Sequence, residues 1–329
     1  MPSENSLEQV AQRIDLVRSE IGKIIVGHQE VVDGVLIALL AGGHVLLEGV
    51  PGLGKTTLLR TLGRALQLKY SRIQFTPDLM PADIVGSMVM DSLDSGIKTL
   101  RFQAGPIFAH LVLADEINRA TPKTQSALLE AMQERTVTSG TATHELEEPF
   151  LVMATQNPLE MEGTYPLPEA QLDRFLMKIL VGYPTRQELD IIVERTMAAE
   201  SPQVHRVVDR DQILEVRRAA REVLVAPHVR DFATNLVLAT QPEQPDAHAL
   251  AKKYVRYGSS PRGAQALVMT ARVMALMRRR WNASLDDMRV LALPCLRHRI
   301  ILNFDAHADG KTTDAILSEI LATAPVPAG

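Results

Sequence analysis

Gly49-Val-Pro-Gly-Leu-Gly-Lys55-Thr56 is a run in which small residues lead into a lysine and a hydroxyl. It fits the pattern G-x-x-x-x-G-K-[ST], whose chemistry is phosphate binding. Glycines let backbone N–H groups turn inward around phosphate oxygens, and a helix starting at Lys55 points its positive dipole end at the same place. Lys55 offers a point charge to β- and γ-phosphates, and the Thr56 hydroxyl is a ligand for Mg²⁺. Gly49, Pro51, Gly52, Leu53, Gly54 and Thr57 complete the expected nucleotide-binding set. The plain alternative is a Gly-rich turn without a ligand; an apolar strand before the run and a helix after it favour the phosphate reading.

A second motif supplies acid chemistry. Leu111-Val-Leu-Ala-Asp115-Glu116 is an apolar strand ending in two adjacent carboxylates. Alone it is weak, because many buried strands end in an acid at a solvated loop. At the same edge of a parallel sheet as the phosphate loop, both would face one crevice. Asp115 would then hold Mg²⁺, and Glu116 would accept a proton from an attacking water, a role worth roughly 10²–10⁴ in rate. The Asp-Glu pair and the lack of an N-K-x-D string argue against a Ras-like GTPase, which orients its water with glutamine. A binding-only switch is the alternative to hydrolysis.

Three further residues complete the constellation. Asn157, in Ala154-Thr-Gln-Asn-Pro158, could hydrogen-bond the γ-phosphate or the water; in isolation an Asn before Pro is a turn residue. Arg174 lies just before the last apolar strand, too far from its own γ-phosphate but able to reach a neighbour's in a ring. Such a finger is worth 10³–10⁵ in turnover, whereas the bland reading is an ion pair with Asp173. Arg262 follows Ser260-Pro261, an N-cap and first-turn proline, so it projects from a helix start. A cation gains nothing there from the helix dipole, and a γ-phosphate is the candidate anion.

Alternating strands and helices must position these groups. Strands are expected at Val45–Leu47, Ser71–Phe75, Leu111–Ala114, Phe150–Ala154 and Met177–Val181, with short, nearly continuous apolar runs typical of a parallel sheet covered on both faces. Helices are expected over Leu7–Ile25, Gln29–Leu40, Lys55–Leu66 and Pro122–Glu134. Two β-hairpins interrupt the alternation: Ser87–Met90 with Ile97–Phe102, and Thr136–Thr138 with Thr143–Leu146. After Pro184 helical periodicity takes over and no strand is expected. The chain therefore divides into an α/β nucleotide-binding core with N-terminal helices, residues 1–183, and a helical lid, residues 184–329.

Taken in order, these strings resemble the MoxR family of AAA+ ATPases. The resemblance is carried by Gly49–Thr56, Ala114-Asp-Glu-Ile-Asn-Arg-Ala120, Pro122–Glu134, Ala154–Pro158, Glu162–Phe175 and Ser260-Pro-Arg262, spanning roughly Gly27 to Arg262. It implies a five-stranded parallel sheet of order 5-1-4-3-2, two hairpin insertions, an all-helical C-terminal lid and a hexameric ring. It also implies a chaperone-like ATPase that uses ATP and Mg²⁺ to remodel or mature client proteins, often with a von Willebrand factor A domain partner. By the same matching, Asp115 and Glu116 form the second Walker motif, Asn157 is the first sensor, Arg174 the finger and Arg262 the second sensor. Arg119, beside the acidic pair, is a further candidate for contact with a neighbouring subunit.

Composition narrows the alternatives. The 329 residues are 46% apolar and 22% charged, and the net charge of −4 gives no overall pull toward nucleic acid or an acidic membrane. A nucleic-acid motor is the alternative from another class, and 4% aromatic content leaves it few stacking platforms. The polar N-terminus, short apolar stretches and single cysteine, Cys295, fit a cytoplasmic protein without a membrane span. Asp305-Ala-His-Ala-Asp309-Gly310 fails as a calcium loop because Ile316 stands where a bidentate Glu is required. Arg278-Arg279-Arg280 reads as a solvated helix end, where cations are favoured.

Overall fold

The computed structural model describes residues 4–50, 52–92, 98–140, 142–158, 163–197 and 202–324. Pro51, Glu162 and the tip of the first hairpin lie outside them.

Two helices open the chain, α1 (Glu4–Ile24) and α2 (Gln29–Ala41). Val10, Ile14, Val17 and Ile21 of α1 recur at helical spacing and are all buried. α2 is apolar around most of its circumference because neighbours cover it on several sides. It stops where Gly42 adopts φ 76°, letting the Gly42 and Gly43 amides donate back to the carbonyls of Leu39 and Ala38.

The sheet elements then alternate with helices. They are β1 (Val45–Glu48), α3 (Lys55–Leu66), β2 (Tyr70–Gln74), α4 (Pro81–Val85), β3 (Gly86–Ser92), β4 (Lys98–Ala104), β5 (Leu111–Asp115), α5 (Pro122–Glu134), β6 (Thr136–Ser139), β7 (Ala142–Glu145), β8 (Leu151–Gln156), α6 (Glu169–Leu172) and β9 (Met177–Leu180). Among the described residues, β2-β5-β8-β1-β9 form one five-stranded parallel sheet, the 5-1-4-3-2 order read from its other edge. Alternate side chains of β1, β5 and β8 enter different apolar layers. Leu47, Leu113 and Met153 pack toward α1, α2 and the C-terminal helices; Leu46, Val112 and Val152 pack toward α5 and Phe150.

The antiparallel pairs β3–β4 and β6–β7 are the two insertions. They meet where the Phe102 ring of β4 stacks on the His144 ring of β7, centroids 4.0 Å apart.

The second half comprises α7 (Arg186–Met197), α8 (Arg210–Glu222), α9 (Pro227–Ala239), α10 (Ala249–Tyr254), β10 (Val255–Tyr257), α11 (Pro261–Met277), α12 (Leu285–Leu296), β11 (Ile301–Leu302), α13 (Phe304–Ala308) and α14 (Thr313–Thr323). The lid is helical, with one addition to the all-helical expectation: β10 and β11 pair antiparallel, Val255 against Leu302. Arg278–Arg280 stands at the solvated end of α11, as expected, and each guanidinium also has carboxylate partners. Arg278 and Arg280 both pair with the buried carboxylate of Asp287, while Arg279 pairs with Glu8 and Asp15 of α1. That desolvated carboxylate caps the first turn of α12 and needs the two guanidiniums to offset its burial.

Candidate functional site

Everything at the phosphate loop follows from which residues lie at the C-terminal ends of the strands. β1 ends at Glu48, paired in register with Gln156, so Asn157 emerges beside Gly49. The Gly49 amide donates to the Gln156 carbonyl at 3.2 Å. Gly49 is required by space: a Cβ there would lie 2.6 Å from the Val181 carbonyl oxygen. Gly52 and Gly54 adopt φ 86° and 74°, the left-handed region that turns the loop into α3. Lys55 donates its Nζ to the Gly49 carbonyl, bending the ammonium back across the loop. Burial pulls its pKa below the usual lysine value, against the opposing pull of Asp115, Glu116 and Glu48.

The acidic pair is fixed from the next two strands. Glu116 sits just past β5 at φ 56°, a left-handed conformation costing a non-glycine residue roughly 1–2 kcal/mol. Thr155 of β8 holds it there: the Glu116 amide donates to Thr155 Oγ1 at 2.8 Å, and that hydroxyl donates to Asp115 Oδ1 at 2.6 Å. From β2, Gln74 Nε2 donates to Glu116 Oε2 at 2.7 Å, and Arg72 pairs with Asp115 Oδ2 at 2.7 Å. Arg119 closes the other side, 3.3 Å from Glu116 Oε2. The result is a cleft of about 380 Å³ lined by Gly49, Gly52, Gly54, Lys55, Thr56, Thr57, Asp115, Glu116 and Asn157. It combines inward-facing loop glycines, a lysine, a hydroxyl, two oriented carboxylates and a buried amide.

The whole chain carries the same relationship. Residues 44–177 match the AAA_3 model, "ATPase family associated with various cellular activities (AAA)", and residues 247–320 match the AAA lid domain. The chain is 43% identical to Chaperone MoxR1 of Mycobacterium tuberculosis over 94% of this chain and 81% of that protein. It is 31% identical to Protein MoxR of Paracoccus denitrificans, over 93% of this chain and 94% of that one. A crystal structure from Cytophaga hutchinsonii superposes with a TM-score of 0.92 at 40% identity, covering 99% of this chain and 98% of that one. The chain belongs to the MoxR family of AAA+ ATPases.

Within this MoxR fold the two predicted arginines lie away from the phosphate loop. Val45 pairs with Met177 and Glu48 with Leu180, so Arg174, which precedes β9, is at the edge of the sheet opposite the loop. The four-residue strands put about 10 Å between those edges. Arg174 Nη1 donates to the Leu129 carbonyl at 2.7 Å and makes no ion pair with Asp173. Asp173 instead accepts from the N-cap hydroxyl of Ser260 and from Arg299, with Arg262 3.7 Å away. Arg174 and Arg262 therefore line one cleft with Gly42, Gly43, Asp173 and Arg299, and Arg262 stands apart from the phosphate loop of its own MoxR chain.

Beside the phosphate cleft lies a cavity of about 600 Å³ that the sequence reading missed. Ile25, Val26, His28, Tyr183, Leu189 and Ile192 line it together with Leu53 and Thr57. Its apolar walls and continuity with the loop suit a nucleoside base. The signal available in the sequence was Gly27-His28 between two helices, where both residues adopt positive φ. Arg72 and Gln74 were also missed; they alternate with buried Ile73 along β2, the mark of one face turned to a polar site.

Proposed function

We propose that this MoxR-family chain is a Mg²⁺-dependent ATPase working as a ring, most simply a hexamer, in which each nucleotide is shared by two copies. The observation that carries it is the separation of functional groups onto opposite edges of one sheet. The loop, the acidic pair and Asn157 occupy one edge, and Arg174 and Arg262 the other. Head-to-tail stacking of such subunits brings unlike edges together and closes when the rotation permits.

ATP would lie with its triphosphate in the loop, held by backbone N–H groups and Lys55, and its base in the cavity between Val26 and Tyr183. The residues fit Mg²⁺: a hydroxyl from Thr56 and a carboxylate from Asp115 face one cleft, and this hard, oxygen-only donor set completed by phosphates is what the ion takes. Bound there, it would neutralise charge on the β- and γ-phosphates. Glu116 would take the proton of the attacking water, with Arg119 and the Thr155-anchored backbone fixing its direction. Asn157 would orient the water or the γ-phosphate. Arg174 and Arg262 from the next subunit would meet the charge developing on the transferred group.

The work done on such a cycle is chaperone-like remodelling or maturation of client proteins, including metal-cofactor insertion. A von Willebrand factor A domain protein is the proposed partner and the cytoplasm the proposed compartment. No helix among the described residues is long and apolar enough to cross a membrane. Turnover per subunit measured across a dilution series tests the shared site. It should fall as rings dissociate, and undiminished hydrolysis by demonstrably single subunits would overturn the reading.

A further inference from the structure

Arg72 has no part in the cycle just outlined, yet it pairs closely with Asp115 in the nucleotide cleft. Its Nη2 and Nε lie 2.7 and 3.1 Å from Asp115 Oδ2. The same Nη2 donates to Gln74 Oε1 at 2.5 Å, and Gln74 Nε2 in turn donates to Glu116 Oε2 at 2.7 Å. The register explains the set. Gln74 lies opposite Asp115 in the β2–β5 ladder, and Arg72, two residues earlier, projects from the same face. Thr155 Oγ1 takes the other oxygen of Asp115, so a divalent cation approaching that carboxylate meets one oxygen engaged by a hydroxyl and the other by a guanidinium.

We propose that Arg72 is a positioning residue whose guanidinium competes with the divalent cation for Asp115, so that arrival of the metal displaces it and loosens Gln74 from Glu116. This rests on the nucleotide-site reading above. Two cations cannot share Asp115 Oδ2 without strong mutual repulsion, and a doubly charged ion with phosphate co-ligands outcompetes a half-exposed guanidinium. Once Arg72 leaves, Gln74 loses the contact that fixes its carbonyl oxygen. Its amide is then free to rotate, and Glu116 to turn toward water. Metal arrival and release of the base thereby become one event. The free guanidinium remains at the cleft, near the phosphates.

The test compares nucleotide affinity with and without Mg²⁺, using a fluorescent, slowly hydrolysed ATP analogue and the full-length chain. Arg72→Met keeps the aliphatic stem and removes the charge. Without metal, Asp115 then repels the triphosphate unshielded; with metal, nothing competes for the carboxylate. The ratio of the two affinities should rise about tenfold over wild type, equivalent to about 1.4 kcal/mol. Arg72→Lys keeps a charge but cannot span Asp115 and Gln74 together, and should give an intermediate ratio. It also carries the test if Arg72→Met folds poorly. A merely structural role lowers both affinities by the same factor, so an unchanged ratio overturns the proposal, as does a lower one. If wild type itself binds no analogue under either condition, the nucleotide-site reading falls instead.

Discussion

Mixing two dead variants gives a quantitative test of the shared site. Arg174→Ala removes the arginine from one edge of the sheet, and Glu116→Gln removes the base from the other. The two lie across strands about 10 Å long, so no rotamer of Arg174 carries it to the loop of its own chain. Each variant alone should lose most turnover, about 10³–10⁵ for a missing finger or about 4–7 kcal/mol of barrier. In a mixed ring, a site is intact only where an Arg174→Ala subunit, which keeps Glu116, is followed by a Glu116→Gln subunit, which keeps Arg174. With equal amounts and random, heterologous assembly, about one interface in four meets this condition. Steady-state phosphate release from the mixture should therefore recover to about a quarter of wild type, at least about 25-fold above the Glu116→Gln parent and about 250-fold above the Arg174→Ala parent. The proportions should follow the product of the two mole fractions, with a maximum at equal mixing. Rings proven mixed by differential tagging that show no recovery would refute action across the interface.

Two other substitutions or conditions probe the scaffold. Thr155→Val removes the hydroxyl that holds the Glu116 backbone and one Asp115 oxygen while keeping side-chain volume; turnover should fall about 10–100-fold, the worth of a hydrogen bond to a charged group. Nucleotide affinity should change little, and unchanged turnover would show that the left-handed Glu116 needs no such anchor. Burial, helped by the nearby Arg135 and Arg217, holds the His44 pKa down at about 4 against the opposing pull of the Met132 carbonyl; its Nδ1 accepts from the Val152 amide and its Nε2 meets that carbonyl. A folded pKa below the unfolded value of 6.5 means stability is complete above that pH and is lost as pH falls toward 4, by about 3 kcal/mol. Denaturant unfolding of wild type and His44→Asn across pH 4–7 should reveal that slope in wild type only; equal slopes would remove His44 as its source.

The sheet and the phosphate cleft were legible because their signals are local. A glycine-rich loop between strand and helix, an apolar strand ending in Asp115-Glu116, and the Ser260-Pro261 helix start each declare their geometry within a few residues. Leu111 to Ala114 is buried on both faces and reads as a continuous apolar run, whereas β2, at the sheet edge, hides its assignment behind Arg72 and Gln74. What stayed illegible depends on distant pairing. The ribbon of Val255–Tyr257 and Ile301–Leu302 is too short to show a period of two. Asp287, which draws in Arg278 and Arg280, looks like an ordinary first-turn acid until its burial is known. The separation of Arg262 from the loop was hidden for the same reason. Only the contact of Asp173 with Ser260 and Arg299 shows which edge of the sheet the lid rests on.

The N-terminal helices turn this architecture into a linkage. Val10, Ile14, Val17 and Ile21 share one apolar mass with Leu267, Leu276 and Leu291 of the lid, while Arg279 grips Glu8 and Asp15, and Arg13 grips Glu215. At the far end of α1, the carbonyls of Gly22 and Lys23 accept from Arg195, and the chain then passes directly along the wall of the base cavity. In the proposed ring, a torque applied to the lid by an adjoining subunit would thus travel down α1 as along a rod and be felt at the proposed base cavity, bypassing the connection at Pro184.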